Sequence, residues 1–154
     1  MNTVDEILDY AIDQEQQAAD FYASFAARAE KAGMKKMLLE FAEEEKRHKE
    51  RLLAAKTGER KLTPEKEVLD LKVSDYLVEV DASGNISYQD ALIFAMKRER
   101  AAFALYKDMA EKVQDTNLKQ IFLGLAKALS RKMTPSVIST EGRNLDQIPR
   151  IRSG

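Results

Sequence analysis

The chain has 154 residues, of which 33% are charged and 44% apolar, a composition typical of a single soluble domain with a hydrophobic core. Its formal net charge is −1 and it contains no cysteine, which excludes disulfides, thiol catalysis and metal sites built on thiolates. No apolar run approaches the roughly 18 residues of a membrane span, and the first residues lack the pattern of a signal peptide. We therefore expect a cytoplasmic protein that binds neither nucleic acid nor membrane.

Apolar residues recur at helical spacing in four segments. In chain order, the predicted helices are about Val4 to Lys31, Met34 to about Lys56, the segment after Ser87 to about Val113, and Asp115 to about Met133. Thr3 with Glu6, and Ser87 with Asp90, have the spacing of capping boxes at helix starts. Gly33 is expected to break the chain between the first two helices, and Pro135 to follow the last.

The segment between the second and third helices, residues 58–86, is too long for a tight turn. It contains Pro64, Gly84 and a β-leaning run from Val73 to Val80. We interpret it as a crossover that carries a short helical or extended piece. The predicted fold is therefore an all-α four-helix bundle, in which two antiparallel helix pairs are joined by a long crossover.

The first half of the chain repeats in the second half at an offset of 84 residues. The shift aligns Leu8 with Leu92, Ala11 with Ala95, Glu15 with Glu99, Tyr22 with Tyr106 and Leu39 with Leu123. After Ala126 the correspondence ends, because Glu45 aligns with Leu129 and His48 with Lys132. The sequence thus suggests a duplicated helix pair whose second copy has diverged at its end.

The composition also changes near the end of the fourth helix. Residues 129–154 contain two of the three prolines and no alanine, and they are rich in Ser and Arg. We therefore divide the chain into a bundle, residues 1–133, and an atypical tail, residues 134–154, which we hypothesise replaced an original helix end. Hydrogen exchange tests this idea: exposed amides throughout the tail would support it, and strong protection would contradict it.

Three glutamates and the single histidine lie on faces that are otherwise apolar. Glu15 completes the apolar stripe of the first helix and Glu99 that of the third, while Glu45 and His48 share one face of the second. An ionised carboxylate in an apolar core is disfavoured unless it is paired, protonated or bound to metal. Carboxylates with an imidazole suit Fe, Mn or Zn. The pattern therefore predicts a metal site, although Glu45 belongs to a charged run, EEEKRHKER, of the kind that usually faces solvent.

Three further side chains have two possible roles each. Tyr22 and Tyr106 lie two turns from the glutamates and either orient a carboxylate by a hydrogen bond or are simple core aromatics. If the fourth helix stays in register, the Lys132 ammonium points toward Glu15 and Glu99 and replaces a metal cation as counter-charge. The alternative is that this helix frays and Lys132 extends into solvent.

The segments AIDQEQQAADFY, FAEEEKRHKERL and AMKRERAAFALY resemble the di-iron carboxylate domain of rubrerythrin-type proteins, in the ferritin-like superfamily, over about residues 4–128. The resemblance implies a ferritin-like bundle, one or two iron ions, and Glu15, Glu45, His48 and Glu99 as ligands. It also implies peroxide reduction, iron oxidation or iron storage, with oxygen or peroxide as substrate, and assembly into a homodimer or a larger oligomer.

The chain departs from this family pattern in two places. The fourth helix should carry a second Glu-x-x-His, but Leu129 and Lys132 stand there. The family's four-cysteine iron module is absent, so electrons would come from an external donor. Two functions remain open: a non-haem iron oxidoreductase or iron-handling protein with a partial di-iron site, or a non-catalytic bundle with a decayed site that acts as a structural or partner-binding scaffold.

Overall fold

The computed structural model describes residues 2–57, 67–78 and 87–132. These residues form four α-helices: α1 (Val4–Arg28), α2 (Ala32–Thr57), α3 (Tyr88–Lys112) and α4 (Thr116–Lys132). Helix α1 packs mainly on α2, and α3 mainly on α4. Because only a few residues connect the helices within each pair, the partners must be antiparallel. The predicted all-α bundle of two helix pairs is confirmed, while the predicted tail, residues 134–154, lies outside the described residues.

Polar side chains fix the starts of three helices. The Thr3 hydroxyl accepts a hydrogen bond from the Glu6 amide at 3.1 Å, and the Glu6 carboxylate accepts one from the Thr3 amide at 3.0 Å, which completes the predicted capping box. Ser87 accepts from the amide three residues ahead at 3.1 Å. Asp115 caps α4 by accepting from the second and third amides after it, at 2.8 and 3.1 Å. These caps satisfy backbone donors that have no partner within the helix.

The predicted boundary between the first two helices was wrong by a few residues. Helix α1 ends at Arg28 rather than Lys31, because Ala29 adopts an extended conformation. Gly33 lies inside the first turn of α2 instead of breaking the chain. The entropic cost of a glycine applies mainly in the middle of a helix, and Gly33 is only the second residue of α2. The other helix ends agree with the sequence to within about two residues.

The described part of the crossover lies against the bundle. Residues Asn2–Thr3 (β1) pair antiparallel with Val68–Leu69 (β2), so that Thr3 lies opposite Val68. The run from Val73 was predicted to lean toward β-structure, but Val73–Tyr76 form a 3-10 turn. The Tyr76 hydroxyl donates to Asp108 on α3. Leu69 and Leu71 are buried in the core, which explains why this segment follows the bundle. Residues 58–66 and 79–86 lie outside the described residues.

Two apolar clusters fill the bundle and leave a polar layer between them. One cluster includes Ile7, Leu8, Ala11, Leu52, Tyr106, Phe122, Leu125 and Leu129. The other includes Ala18, Tyr22, Phe25, Leu38, Ala42 and Ala95. Along α1, α2 and α3 the predicted ligands lie between residues that pack in the two clusters, as Glu15 does between Ala11 and Ala18. The fold therefore places the carboxylates at mid-height in the bundle, shielded by apolar side chains on both sides.

Gly124 offers a test of the helix packing. It lies in the interior of α4, where an added Cβ would meet only the guanidinium of Arg51, an exposed and flexible side chain. We expect Gly124→Ala to raise the free energy of unfolding by roughly 0.5–1 kcal/mol, since alanine loses less backbone entropy in a helix. Urea unfolding measures this, with Gly33→Ala in the first turn of α2 as the comparison variant. A destabilised Gly124→Ala protein would show that Arg51 cannot move aside.

Candidate metal site

Three helices each present an acidic side chain to the centre of the bundle. Glu15 comes from the middle of α1, Glu45 and His48 from adjacent turns of α2, and Glu99 from the middle of α3. Their exposed fractions are 3% for Glu15, 2% for Glu45, 3% for His48 and 8% for Glu99. The alternative that Glu45 faces solvent as part of a charged run is therefore wrong. The structure brings all four predicted ligands into one buried layer.

Glu15, Glu45 and His48 form the tightest group. His48 Nδ1 lies 3.6 Å from Glu15 Oε2 and 3.5 Å from Glu45 Oε2, and one potential ligand atom from each residue lies within 4.8 Å of the others. Glu99 is not part of this group. The three residues thus combine two hard carboxylate oxygens with an imidazole nitrogen, a set that suits Fe, Mn or Zn.

Unpartnered atoms show that this group fits a cation. Among the described residues, Glu15 Oε2 and His48 Nδ1 are fully buried and lack a hydrogen-bond partner, as does Glu99 Oε2. Buried polar atoms in native proteins are nearly always satisfied, because leaving one unpaired costs about 1–3 kcal/mol. A metal ion bound between these atoms would satisfy them. The residues present therefore fit the metal that the family pattern implies.

The metal-free protein carries its own positive charge beside these carboxylates. Burial lowers the pKa of His48, but the contacts with Glu15 and Glu45 outweigh burial and raise that pKa to about 10. The imidazole is therefore protonated at neutral pH and balances the carboxylates. A metal ion must displace this proton, because only the neutral imidazole is a ligand.

Lys132 supplies a second buried cation from the end of α4. Its Nζ donates to Glu45 Oε1 at 3.0 Å and to Glu99 Oε1 at 3.1 Å, and Glu44 lies 3.8 Å away. Only 9% of the Lys132 side chain is exposed, so the alternative that it extends into solvent is wrong. The predicted contact with Glu15 is wrong too, since Lys132 contacts Glu45 instead and Glu15 faces His48. The chain therefore places an ammonium directly between two of the carboxylates.

Sequence reasoning missed the rest of the surroundings of Lys132. The ammonium lies 4.2 Å from the centre of the Phe41 ring and 4.9 Å from that of Tyr22, close enough for cation–π attraction. The sequence indicates Glu44 only as part of the charged run EEEKRHKER. The one available signal was the position of Phe41, four residues before Glu45 on the same face of α2.

Glu99 has an unusual acidity for a carboxyl group. Burial and the negative charge of Glu45 raise its pKa, the Lys132 ammonium and the Tyr22 hydroxyl lower it, and the balance is a pKa of about 7. Its Oε1 accepts from both Lys132 and Tyr22, while its Oε2 has no partner among the described residues. Glu99 thus faces the ammonium side of the layer.

The two tyrosines hold the carboxylates in place. The Tyr22 hydroxyl donates to Glu99 Oε1 at 2.9 Å, and the Tyr106 hydroxyl donates to Glu15 Oε1. Burial and the neighbouring carboxylates raise the pKa of both phenols well above the ordinary tyrosine value, so both remain protonated donors. Each tyrosine thereby fixes one oxygen of a carboxylate whose other oxygen is unpartnered.

The contacts obey the internal repeat of the sequence. Tyr22 aligns with Tyr106, and Glu15 with Glu99, at the offset of 84 residues. The hydrogen bond from Tyr22 to Glu99 is therefore equivalent to the one from Tyr106 to Glu15, and each joins the two halves of the repeat. At another pair of equivalent positions, the Arg98 guanidinium donates to the Gln14 carbonyl at 2.7 Å. The repeat is therefore an approximate two-fold symmetry of the site.

That symmetry gives Lys132 a defined place. His48 approaches Glu15 in the first half, and Lys132, the residue aligned with His48, approaches Glu99 in the second. The partner of Glu45 in the repeat is Leu129, which is fully buried and offers no ligand atom. One half of the layer thus has a carboxylate–imidazole group, and the other half has an ammonium.

Removing one tyrosine hydroxyl tests how the site is held. We expect Tyr106→Phe to lower metal affinity by roughly 10- to 100-fold, the usual effect of losing a residue that orients a ligand. Titration with Mn²⁺ measures this affinity. Tyr10→Phe, which changes a half-buried tyrosine of α1 that does not donate to these carboxylates among the described contacts, is the control. Equal affinities of both variants and the original protein would contradict a role for Tyr106 in orienting Glu15.

A cavity of about 40 Å³ connects this layer with the gap between α1 and α3. Its lining includes the carboxylates Glu15, Glu45 and Glu99, and the small side chains Ala11, Ala18, Ala101 and Ala102. Alanines keep the two helices from filling the gap with side chains. A cavity needs about 10–15 Å³ to hold one water molecule, so this cavity has room for a molecule of a few atoms beside the carboxylates.

Within the described residues, no helix is long and apolar enough to cross a membrane.

In comparisons with known proteins, the family model described as Rubrerythrin matches residues 6–128. No curated protein and no solved structure gave a match. The matched range includes all four predicted ligands and both tyrosines, and it ends just before Leu129 and Lys132, where the internal repeat also ends. The chain belongs to the rubrerythrin family.

Proposed function

We propose that this protein binds iron through Glu15, Glu45 and His48 and uses it as a rubrerythrin-type oxidoreductase or iron-handling protein. The observation that carries the proposal is the buried group of three ligand side chains, in which Glu15 Oε2 and His48 Nδ1 have no hydrogen-bond partner among the described residues. Without a metal ion, the protonated His48 imidazole balances these carboxylates by charge, but Glu15 Oε2 and His48 Nδ1 make no hydrogen bond among the described residues. Mn and Zn suit the same ligands, and iron is preferred because of the family.

Each neighbouring residue has a role in this proposal. Tyr106 holds Glu15 so that the free oxygen of Glu15 faces His48. Glu45 contacts Lys132 through one oxygen and faces His48 through the other. Glu99, the fourth predicted ligand, is held by Tyr22 and Lys132 and offers its second oxygen from α3. Iron bound there would supply one-electron chemistry toward oxygen or peroxide.

The cavity between α1 and α3 supports the proposal that the substrate is a small molecule. Its volume of about 40 Å³ has room for a molecule of the size of oxygen or hydrogen peroxide. Reducing hydrogen peroxide to two waters takes two electrons and two protons, whereas one ferrous ion yields one electron on oxidation to ferric. Turnover therefore needs an external electron donor, since the chain has no cysteine with which to hold an iron–thiolate module.

A second candidate function rests on Lys132. The ammonium already neutralises part of the charge of Glu45 and Glu99, as expected of a site that has lost its metal and kept its fold. In that case the protein would be a structural or partner-binding scaffold. The buried group formed by Glu15, Glu45 and His48 favours the metal protein, because Glu15 Oε2 and His48 Nδ1 lack a hydrogen-bond partner among the described residues.

Three further expectations stay predictions: a cytoplasmic location, an external electron donor, and assembly as a homodimer or larger oligomer. Two exposed leucines at equivalent repeat positions, Leu39 on α2 and Leu123 on α4, are 44% and 47% exposed. Burial of such side chains between copies would favour association. Light scattering coupled to size exclusion would measure the assembly directly.

Iron oxidation separates the two functions. Ferrous iron is added to the metal-free protein without oxygen, the sample is desalted, and air or peroxide is then admitted while near-ultraviolet and visible absorption is recorded. We expect absorption typical of carboxylate-bound ferric iron, and we expect Glu45→Gln to abolish it. Glu43→Gln, an exposed glutamate on the same helix, is the matched control. No bound iron in the correctly folded original protein would favour the scaffold.

A further inference from the structure

We propose that the Lys132 ammonium is the built-in second cation of this site and limits it to one metal ion. The inference rests on the proposed metal binding by Glu15, Glu45 and His48, and it adds a reason for a fixed stoichiometry. Three independent features of the described residues carry it: the symmetry of the layer, the contacts of the ammonium, and the balance of buried charge.

The symmetry shows where a second metal would lie. The group around Glu15 has its two-fold equivalent around Glu99, with Leu129 and Lys132 at the positions of Glu45 and His48. Leu129 is completely buried within the apolar cluster that contains Ile7 and Phe122. Neither residue is a metal ligand at neutral pH, since one is apolar and the other is a protonated amine. The second half of the layer has therefore lost two ligands and gained a cation.

The contacts show that the ammonium occupies this second half. It lies 3.0 Å from Glu45 Oε1 and 3.1 Å from Glu99 Oε1, and the rings of Phe41 and Tyr22 cover it. One oxygen of Glu45 and one of Glu99 are thus already engaged by the N–H donors of the ammonium, while Glu99 Oε2 has no partner among the described residues. A second metal ion would have to displace an ammonium that contacts two carboxylates and two aromatic rings and is largely buried.

The charge balance leads to the same stoichiometry. Three buried carboxylates, those of Glu15, Glu45 and Glu99, carry up to three negative charges. One divalent ion together with the Lys132 ammonium supplies three positive charges, whereas two divalent ions and the ammonium supply five. Excess charge in a buried, low-dielectric layer is strongly disfavoured. Glu44 is partly exposed, so water screens its charge and it contributes less to this balance.

Glu45 couples the two cations. Its Oε1 accepts from Lys132, while its Oε2 faces His48 and the unpartnered oxygen of Glu15. Lys132 is therefore a positioning residue: it holds Glu45 so that one oxygen remains directed at the metal group. Removing the ammonium would free oxygens of Glu44, Glu45 and Glu99 to bind a second, more weakly held ion, because carboxylates alone suit Mn²⁺.

Mn²⁺ is the probe for the test because it does not oxidise readily in air. Calorimetric titration and elemental analysis after desalting give the number of ions per chain, and electron paramagnetic resonance detects coupling between two neighbouring Mn²⁺ ions. We expect one ion for the original protein. We expect a second ion in Lys132→Met, which removes the charge, and one ion in Lys132→Arg, which keeps it. Lys127→Met, an exposed position on α4, is the control and should bind one.

The outcomes separate this inference from the proposed function. A single ion in both Lys132→Met and the original protein, or two ions in the original protein, would overturn the role of Lys132 while leaving metal binding intact. No bound ion in the original protein would overturn the proposed function and this inference with it. Circular dichroism confirms folding, and Lys132→Gln is a second neutral variant should Lys132→Met be unstable. We expect Lys132→Gln also to bind a second ion.

Discussion

Replacing His48 with glutamine is expected to weaken Mn²⁺ or Fe²⁺ binding by about 100-fold or more, because loss of a residue that merely orients a ligand already costs roughly 10- to 100-fold. His48 is the only nitrogen ligand in the group and approaches both carboxylates within 3.6 Å. The variant should remain helical, since glutamine fits a helix and keeps a polar side chain in the layer. Isothermal titration calorimetry on the metal-free protein measures the change.

The matched control for His48 is its neighbour Arg47. Arg47 is exposed on α2, so Arg47→Gln changes the charge of the helix without changing the buried layer. We expect Arg47→Gln to bind metal as the original protein does. If His48→Gln bound Mn²⁺ with unchanged affinity, the metal would lie elsewhere and the assignment of the site would be wrong.

Rebuilding the lost half of the site should have the second large effect. In the metal-free protein, the double change Leu129→Glu with Lys132→His should lower the free energy of unfolding by about 3 kcal/mol or more, because it introduces a buried carboxylate and removes a buried ammonium. With metal, the same protein should bind two ions per chain instead of one. Free metal at about 100 times its dissociation constant adds about 2.7 kcal/mol of stability for each site.

The two measurements for this double variant are urea unfolding with and without Mn²⁺, and metal content per chain. Leu129→Glu alone keeps the ammonium, so it should be destabilised and should stay at one ion. A double variant that bound one ion and gained no more stability from metal than the original protein would show that positions 129 and 132 do not face the site. The Lys132 contacts place position 132 at this layer, and Leu129, three residues before it, is fully buried in the apolar cluster that borders the layer.

Much of the fold follows from local patterns in the sequence. The caps at Thr3, Ser87 and Asp115 could be predicted because a cap depends on a side chain and amides two or three residues away. The inward glutamates could be predicted because a helical period fixes which residues share a face. The internal repeat then related the halves, and the crossed tyrosine bonds follow that relation.

Features that depend on distant parts of the chain were predicted less well. The sequence predicted that Lys132 lies near Glu99, but it predicted Glu15 rather than Glu45 as the second partner. The flexible four-carbon side chain of a lysine can reach in several directions, so its partners are hard to predict. The Phe41 ring that covers the ammonium comes from another helix. The run from Val73 was predicted to lean toward β-structure, but Val73–Tyr76 form a 3-10 turn. Packing against α3 outweighs the weak strand preference of valine there.

Iron content per chain tests the central claim most directly. The metal-free protein is loaded with ferrous iron without oxygen, desalted, and measured by elemental analysis against protein concentration. We expect about one iron per chain, held by Glu15, Glu45 and His48 beside the Lys132 ammonium. Two irons per chain would contradict the role of Lys132, and none in a correctly folded protein would contradict metal binding itself.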